Sequence, residues 1–241
     1  MKPLQNEHKM EGGQLTWKDV SKGLSRDKPS SYILELRETG QLKEILPEID
    51  SLFGIPQPAE HHPEIDTGIH TLMVLDRAAE LTDNIDVRFA SLVHDVGKAL
   101  TPSETWPKHH DHEELGVESV KKIAERLEIP EETTELAVHV ARYHLQAHRA
   151  FEARPGTLVK LFENTNAFTQ PERFELFVLA TQADAQGRLH HETAPYPQAS
   201  FLMGALKAAL NVNTNSLSDD VVRQNRIRCV TDLKKNSSIE P

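Results

Sequence analysis

The stretch Pro171-Glu172-Arg173-Phe174-Glu175-Leu176-Phe177-Val178-Leu179-Ala180-Thr181-Gln182-Ala183-Asp184-Ala185 decides the fold. Proline at its first position marks a helix start, where a missing N–H costs nothing. Phe174, Phe177, Ala180 and Thr181 recur at the three- and four-residue spacing of one helix face, and that stripe runs straight onto Asp184. The same helical period returns along the chain in Thr67 to Leu81, Asp86 to Val96 closed by Gly97, Asp111 to Leu127, Glu131 to Leu145, Pro155 to Asn164 and Pro197 to Leu210. No segment alternates with the period of two that a half-buried strand requires. The chain therefore reads as all-α, a helical bundle preceded by a short N-terminal helical segment.

Outside the bundle, residues 1–15 are polar, contain Gly12-Gly13 and read as a flexible lead-in. Residues 16–58 form the N-terminal segment, with Thr16 capping a first helix and Ser30 a second that ends before Gly40. Its apolar residues Leu34, Leu36, Ile45 and Leu46 either cover the main core or face a second subunit, so a homo-oligomer stays open. Gly54-Ile55-Pro56-Gln57-Pro58 is an extended connector into the main domain, residues 59–210. Residues 211–241 read as a polar linker and a loosely attached last helix, Asp219 to Cys229, whose Arg223, Arg226 and Arg228 more often form a solvated face than a phosphate contact.

Composition narrows the function classes. The chain has 241 residues, 38% hydrophobic and 27% charged, which is globular rather than disordered. One cysteine, Cys229, rules out an internal disulfide and Cys-rich metal clusters, and points to the cytoplasm. No apolar run approaches the roughly 20 residues of a membrane span. A net charge of −10 argues against broad non-specific nucleic-acid binding. Thirteen histidines exceed what packing needs, and several stand beside aspartates.

Their placement carries the chemistry. An ionised Asp184 on an apolar stripe must be paired, neutralised or bound to a cation. His70 lies in register with Met73 and Val74, His144 continues Leu136 and Val140, and His112 leads toward Gly116, Val120 and Ile123. Taken singly each is more often a hydrogen-bonded core histidine than a ligand. Together with the doublet His94-Asp95, which ends the stripe Phe89, Leu92 and Val93, they favour convergence on one site. Imidazole and carboxylate without thiolate suit Mg²⁺, Mn²⁺, Co²⁺, Ni²⁺ or Zn²⁺.

The ordered set His70, His94-Asp95, Asp184 resembles the HD superfamily of metal-dependent phosphohydrolases, and His94-Asp95-Val96-Gly97-Lys98 resembles its extended form. The stretch from His62 through Thr71, with Ala90 through Lys98, Lys108 through Glu113 and Ala183 through Arg188, is similar to the C-terminal HD domain of bacterial multifunctional CCA-adding tRNA nucleotidyltransferases. That similarity runs from about Trp17 to about Ala209. It implies an HD-domain bundle over residues 59–210, with His70, His94, Asp95 and Asp184 as metal ligands, Asp95 orienting the attacking water and Lys98 stabilising phosphate charge. A nucleotidyltransferase head carries an Asp-x-Asp pair, which this sequence lacks, so nucleotide addition is not expected. His112 and His144 complete a second metal site or contact substrate, and Arg142 and Arg188 are candidate phosphate clamps. The resemblance further implies a phosphodiesterase and phosphatase acting on 2′,3′-cyclic phosphates and 2′-phosphates, preferring Ni²⁺, with nucleotides, RNA 3′ ends or tRNA as partners. The alternatives are a catalytically silent tRNA-binding remnant or partner subunit of a CCA-adding enzyme, and an HD hydrolase of another nucleotide.

Overall fold

The computed structural model describes residues 15–236, so the expected lead-in lies almost wholly outside the described residues. The fold is all-α. Thr16 precedes α1 (Trp17–Leu24) and donates its N–H to Asp19 Oδ2 at 3.0 Å. α2 (Pro29–Glu38) starts at proline rather than behind Ser30. Ser30 lies inside the first turn, and its N–H and hydroxyl both donate to Asp76, at 2.9 and 2.7 Å. A carboxylate from another helix thus satisfies the donors that sequence assigned to a local cap.

Two short helices, α3 (Gln41–Ile45) and α4 (Pro47–Asp50), end the N-terminal segment. Leu36 and Leu46 are buried here, whereas Leu34 stays exposed. Asp76 sits on α5 (Thr67–Leu81), which Asp66 caps by accepting from Ile69 N at 2.9 Å. The connector is strapped down before α5: Gln57 N donates to Ile65 O at 2.7 Å and Thr67 N to Ile55 O at 2.9 Å.

α6 (Ile85–Val93) lies against α5, with the N-terminal α1 packed on it. Arg88, buried on α6, donates to the carbonyls of Leu24 at 2.8 Å and Arg26 at 3.1 Å, tying the N-terminal helices to the bundle. α6 stops at Val93, three residues short of the expected Val96. A 3₁₀ turn, Val96–Leu100, follows His94-Asp95, and a second spans Ser103–Thr105. Next come α7 (His112–Leu127) and α8 (Glu131–His148), the latter one turn longer than its apolar period indicated.

α9 (Pro155–Asn164), α10 (Pro171–Gln186) and α11 (Pro197–Leu210) complete the bundle, with α10 packed on α5, α6 and α8. Phe174 of α10 lies between Phe162 and Phe177, ring centroids 5.2 and 5.3 Å away, and all three rings are buried. α12 (Asp219–Asn236) is not loosely held. It docks on α9 and α11, burying Val222 and Val230. Arg223 pairs with Glu163 at 3.1 Å, Arg226 stacks on Phe168, and Lys234 donates to the carbonyls of Phe151 and Ala153. Three of its cations are thus engaged by the protein itself, while Arg228 stays exposed.

Gly97 was expected to close α6, yet it serves a close approach instead. A Cβ there would lie 1.9 Å from His112 O and 2.5 Å from Gly116 N, both backbone atoms of α7. Gly116, facing it, has 3.6 Å to its nearest neighbour. Gly97→Ala is therefore expected to destabilise the fold by about 1–3 kcal/mol, the range of overpacked cores. Gly116→Ala should be neutral or stabilising by up to about 1 kcal/mol. Urea unfolding of the two variants checks this, and equal midpoints would refute the contact's importance.

Candidate metal centre

Four helices and one turn deliver the polar cluster to the middle of the bundle. His70 comes from α5, His94 and Asp95 from the end of α6, Asp184 from α10, His112 from the first residue of α7 and His144 from α8; all are buried. The early end of α6 turns the chain at His94-Asp95, so both side chains reach one centre. On an unbroken helix adjacent residues diverge by about 100°.

The two oxygens of Asp95 face different histidines. Oδ2 lies 3.1 Å from His94 Nε2 and 3.9 Å from His70 Nε2. Oδ1 lies 3.4 Å from His112 Nε2 and 3.7 Å from His144 Nε2. Asp184 Oδ1 is 3.2 Å from His70 Nε2 and 3.6 Å from His94 Nε2. The result is two adjoining groups, His70–His94–Asp184 and Asp95–His112–His144, each with its ligand atoms within 4.8 Å of one another.

Each ring is oriented by its other nitrogen. Nδ1 of His94 donates to Ser91 O at 2.8 Å, that of His112 to His109 O at 2.7 Å, and that of His144 to Val140 O at 3.0 Å. Those bonds fix each ring so that Nε2 is the nitrogen turned to the centre, the arrangement that outer-shell contacts impose on metal-binding imidazoles. His70 Nδ1 lies 3.0 Å from Glu64 Oε1. His94 Nε2, Asp95 Oδ1 and His112 Nε2 are buried without a hydrogen-bond partner. Buried groups left so are costly, and a divalent cation among them removes the cost; nitrogen and oxygen donors alone fit such an ion.

Electrostatics agree. Burial opposes the charge of Asp95, but His94 and Lys98 outweigh it and hold the carboxyl well below the usual range. Burial likewise opposes Asp184, and His94 and His148 hold it down. Burial pushes the His144 imidazole down to about 3, so it is neutral and able to ligate. For His94, burial is overcome by Asp95 and Asp184, which raise it to about 9.

Of the remaining sequence-derived candidates, Lys98 reaches the centre: its Nζ donates to Asp95 Oδ2 at 2.7 Å and to Gln57 Oε1 at 2.6 Å. Arg188 lines the cavity above the cluster, held by Ala185 O at 3.0 Å. Arg142 is elsewhere: it pairs with Glu114 at the surface and is not among the cavity's lining residues. Its polar face on α8 gave no direction in sequence.

Sequence reasoning missed three participants. His148 donates to Asp184 Oδ2 at 2.7 Å, and its Nδ1 accepts from Tyr196 OH at 3.1 Å. It stands four residues after His144, the same helix face, a signal lost by ending α8 at Leu145. Glu64 accepts from His62 Nδ1 at 3.1 Å and faces His70, and burial of its charge is outweighed by those imidazoles. Gln57 meets Lys98 from 41 residues away, which no local pattern reveals.

Fold and cluster together define a class. Residues 67–173 match the HD domain family. Multifunctional CCA proteins are among this chain's relatives. That of Hahella chejuensis is 41% identical over 236 residues, 94% of this chain and 56% of the relative. That of Pseudomonas fluorescens is 48% identical over 204 residues, covering 85% and 50%, and that of Alkalilimnicola ehrlichii 46% identical over 232 residues, covering 92% and 56%. The chain thus spans about half the length of the curated relatives it matches. Among the described residues no helix is long and apolar enough to cross a membrane.

Two outcomes follow. Asp95→Ala should weaken divalent-cation binding more than about 100-fold, since outer-shell changes alone typically cost 10–100-fold; calorimetric titration checks it. Because His94 is held protonated up to about pH 9, a cation bound at pH 7 displaces about one proton, and affinity should fall as pH drops below that value. Titrations in buffers of different ionisation enthalpy measure the proton count, and a count of zero would contradict the assignment.

Proposed function

We propose that this chain is an HD-type metal-dependent phosphohydrolase that opens 2′,3′-cyclic phosphates and removes 2′-phosphates from nucleotides, including RNA or tRNA 3′ ends. The observation that supports this reading is the two adjoining groups, His70–His94–Asp184 and Asp95–His112–His144, joined where Asp95 Oδ2 lies 3.1 Å from His94 Nε2, with three of their ligand atoms buried and unpartnered. His70, His94, Asp95 and Asp184 would hold one divalent cation, with His112 and His144 joining Asp95 for a second. When bound, such an ion supplies Lewis-acid polarisation of a phosphoryl oxygen and lowers the pKa of water. Ni²⁺ is the expected preference, with Mg²⁺, Mn²⁺ or Co²⁺ as alternatives.

The chain's own groups do the rest. Asp95, kept ionised, can orient a water for attack on phosphorus. Lys98, fixed by Gln57 and Asp95 at the cavity floor, can offset charge that grows on the phosphoryl oxygens. His148 and Glu64 hold Asp184 and His70 in place from behind. We read residues 59–210 as the unit carrying this chemistry, with 16–58 covering its flank and 211–241 attached to its far side.

The test is hydrolysis of 2′,3′-cyclic AMP, 2′-AMP and 3′-AMP by chelator-stripped protein resupplied in turn with Mg²⁺, Mn²⁺, Co²⁺, Ni²⁺ and Zn²⁺. Metal-dependent turnover of the cyclic or 2′ substrates is expected, abolished in Asp95→Ala. Lys98→Ala should lose about 10²–10³ in kcat, the usual effect of removing one charge-stabilising donor, while retaining metal. Full activity in Asp95→Ala would sink the mechanism.

A further inference from the structure

The cavity over the histidine cluster has a volume of about 410 Å³. Small-molecule pockets run from roughly 300 to 1,000 Å³, so one nucleotide fits and a strand does not. Charge is sorted along its wall. Asp95 and Asp184 are the acidic side chains among the described lining residues, and both face the histidines at the buried end. Lys98 is tied to Asp95 there. Toward the exposed end stand two further cations, Arg149 and Arg188.

These two differ from most arginines of the chain. Arg77 pairs with Glu80 at 2.6 Å, Arg126 with Glu48 at 2.6 Å and Arg173 with Asp86 at 3.3 Å. Among the described residues neither Arg149 nor Arg188 has a carboxylate partner. Arg188 is nonetheless aimed: its Nε donates to Ala185 O at 3.0 Å and its Nη1 to His61 O at 3.4 Å, leaving Nη2 without a protein acceptor. Arg149 caps the end of α8 directly after His148. In a protein of net charge −10, two guanidinium groups that line one cavity without a carboxylate partner among the described residues favour an anion there. Leu145, Ala194, Pro195 and Tyr196 also line the cavity, a surface suited to a sugar and base.

We infer that Arg149 and Arg188 form a second phosphate subsite, which holds the 5′-phosphate of a terminal nucleotide while its 2′,3′ edge faces the histidine cluster. This rests on the nucleotide reading above and narrows it. The two phosphates of such a nucleotide stand on opposite edges of one ribose, and the cavity's positive groups differ in depth: Lys98 is buried, Arg188 half-buried and Arg149 exposed. The favoured substrate class is therefore the last nucleotide of an RNA chain, or a nucleotide carrying a 5′-phosphate, over a nucleoside cyclic phosphate with a free 5′-hydroxyl. Guanidinium forks bind phosphate through paired charge-assisted hydrogen bonds, which sets the scale of the preference.

Calorimetric titration of the metal-loaded protein with 3′-AMP and with adenosine 3′,5′-bisphosphate isolates the 5′-phosphate. The bisphosphate should bind at least about tenfold more tightly, with the margin shrinking as salt rises. Arg149→Ala and Arg188→Ala should each bring the ratio of affinities toward one, and Arg149→Lys should keep part of it. Circular dichroism confirms that the variants fold, and the wild-type comparison stands without them. Equal affinities in the wild type overturn the subsite. Hydrolysis of 2′,3′-cyclic AMP by the same preparation reports on the reaction separately. Turnover with equal affinities removes the subsite and leaves the phosphohydrolase; a tenfold margin without turnover keeps the subsite and removes the reaction.

Discussion

Two carboxylates, Asp95 and Asp184, are buried and ionised at the centre of an apolar bundle, and the rest of the structure is arranged around that constraint. Removing such a charge from water costs several kcal/mol unless partners repay it. The partners are imidazoles from four helices and one ammonium, each held by a further group at its back. A site assembled this way is preorganised, because no member can turn without losing a second bond.

The close approach of the turn after α6 to α7 follows from the same demand. For Asp95 to present one oxygen to each histidine group, the end of α6 must lie against the start of α7. Only a residue without a Cβ permits the contact at Gly97, with His112 O 1.9 Å from where a Cβ would be. The glycine that looked like helix punctuation therefore sets the spacing between the two halves of the site. The segment ahead of the HD helices is drawn in as well: Gln57 and Glu64 come from residues before position 67 yet support Lys98 and His70.

Much of this was legible along the chain. A period of 3.6 is a local property, so the bundle helices could be placed within a few residues, though the last helix runs seven residues past the expected Cys229, and Asp184 stood out because it broke an apolar stripe. His94-Asp95 stood out because it ended one. What misled was also local. Ser30 has the chemistry of a cap, but its donors are met by Asp76, 46 residues away. Ala147 and His148 continue the face of Val140 and His144, but ending α8 at Leu145 left them out. Arg142 and Arg149 look alike in sequence, and only their surroundings separate a surface ion pair from a cavity wall.

The sequence by itself determined that this protein is helical and which of its histidines and aspartates fall on apolar faces, because both depend on spacing within single helices. Which oxygen of Asp95 meets which imidazole, what holds each ring, and which arginines keep their charge free for a ligand were decided only by tertiary structure. Those are distances between helices, set by how side chains interlock across the core, and no periodicity along one chain encodes them.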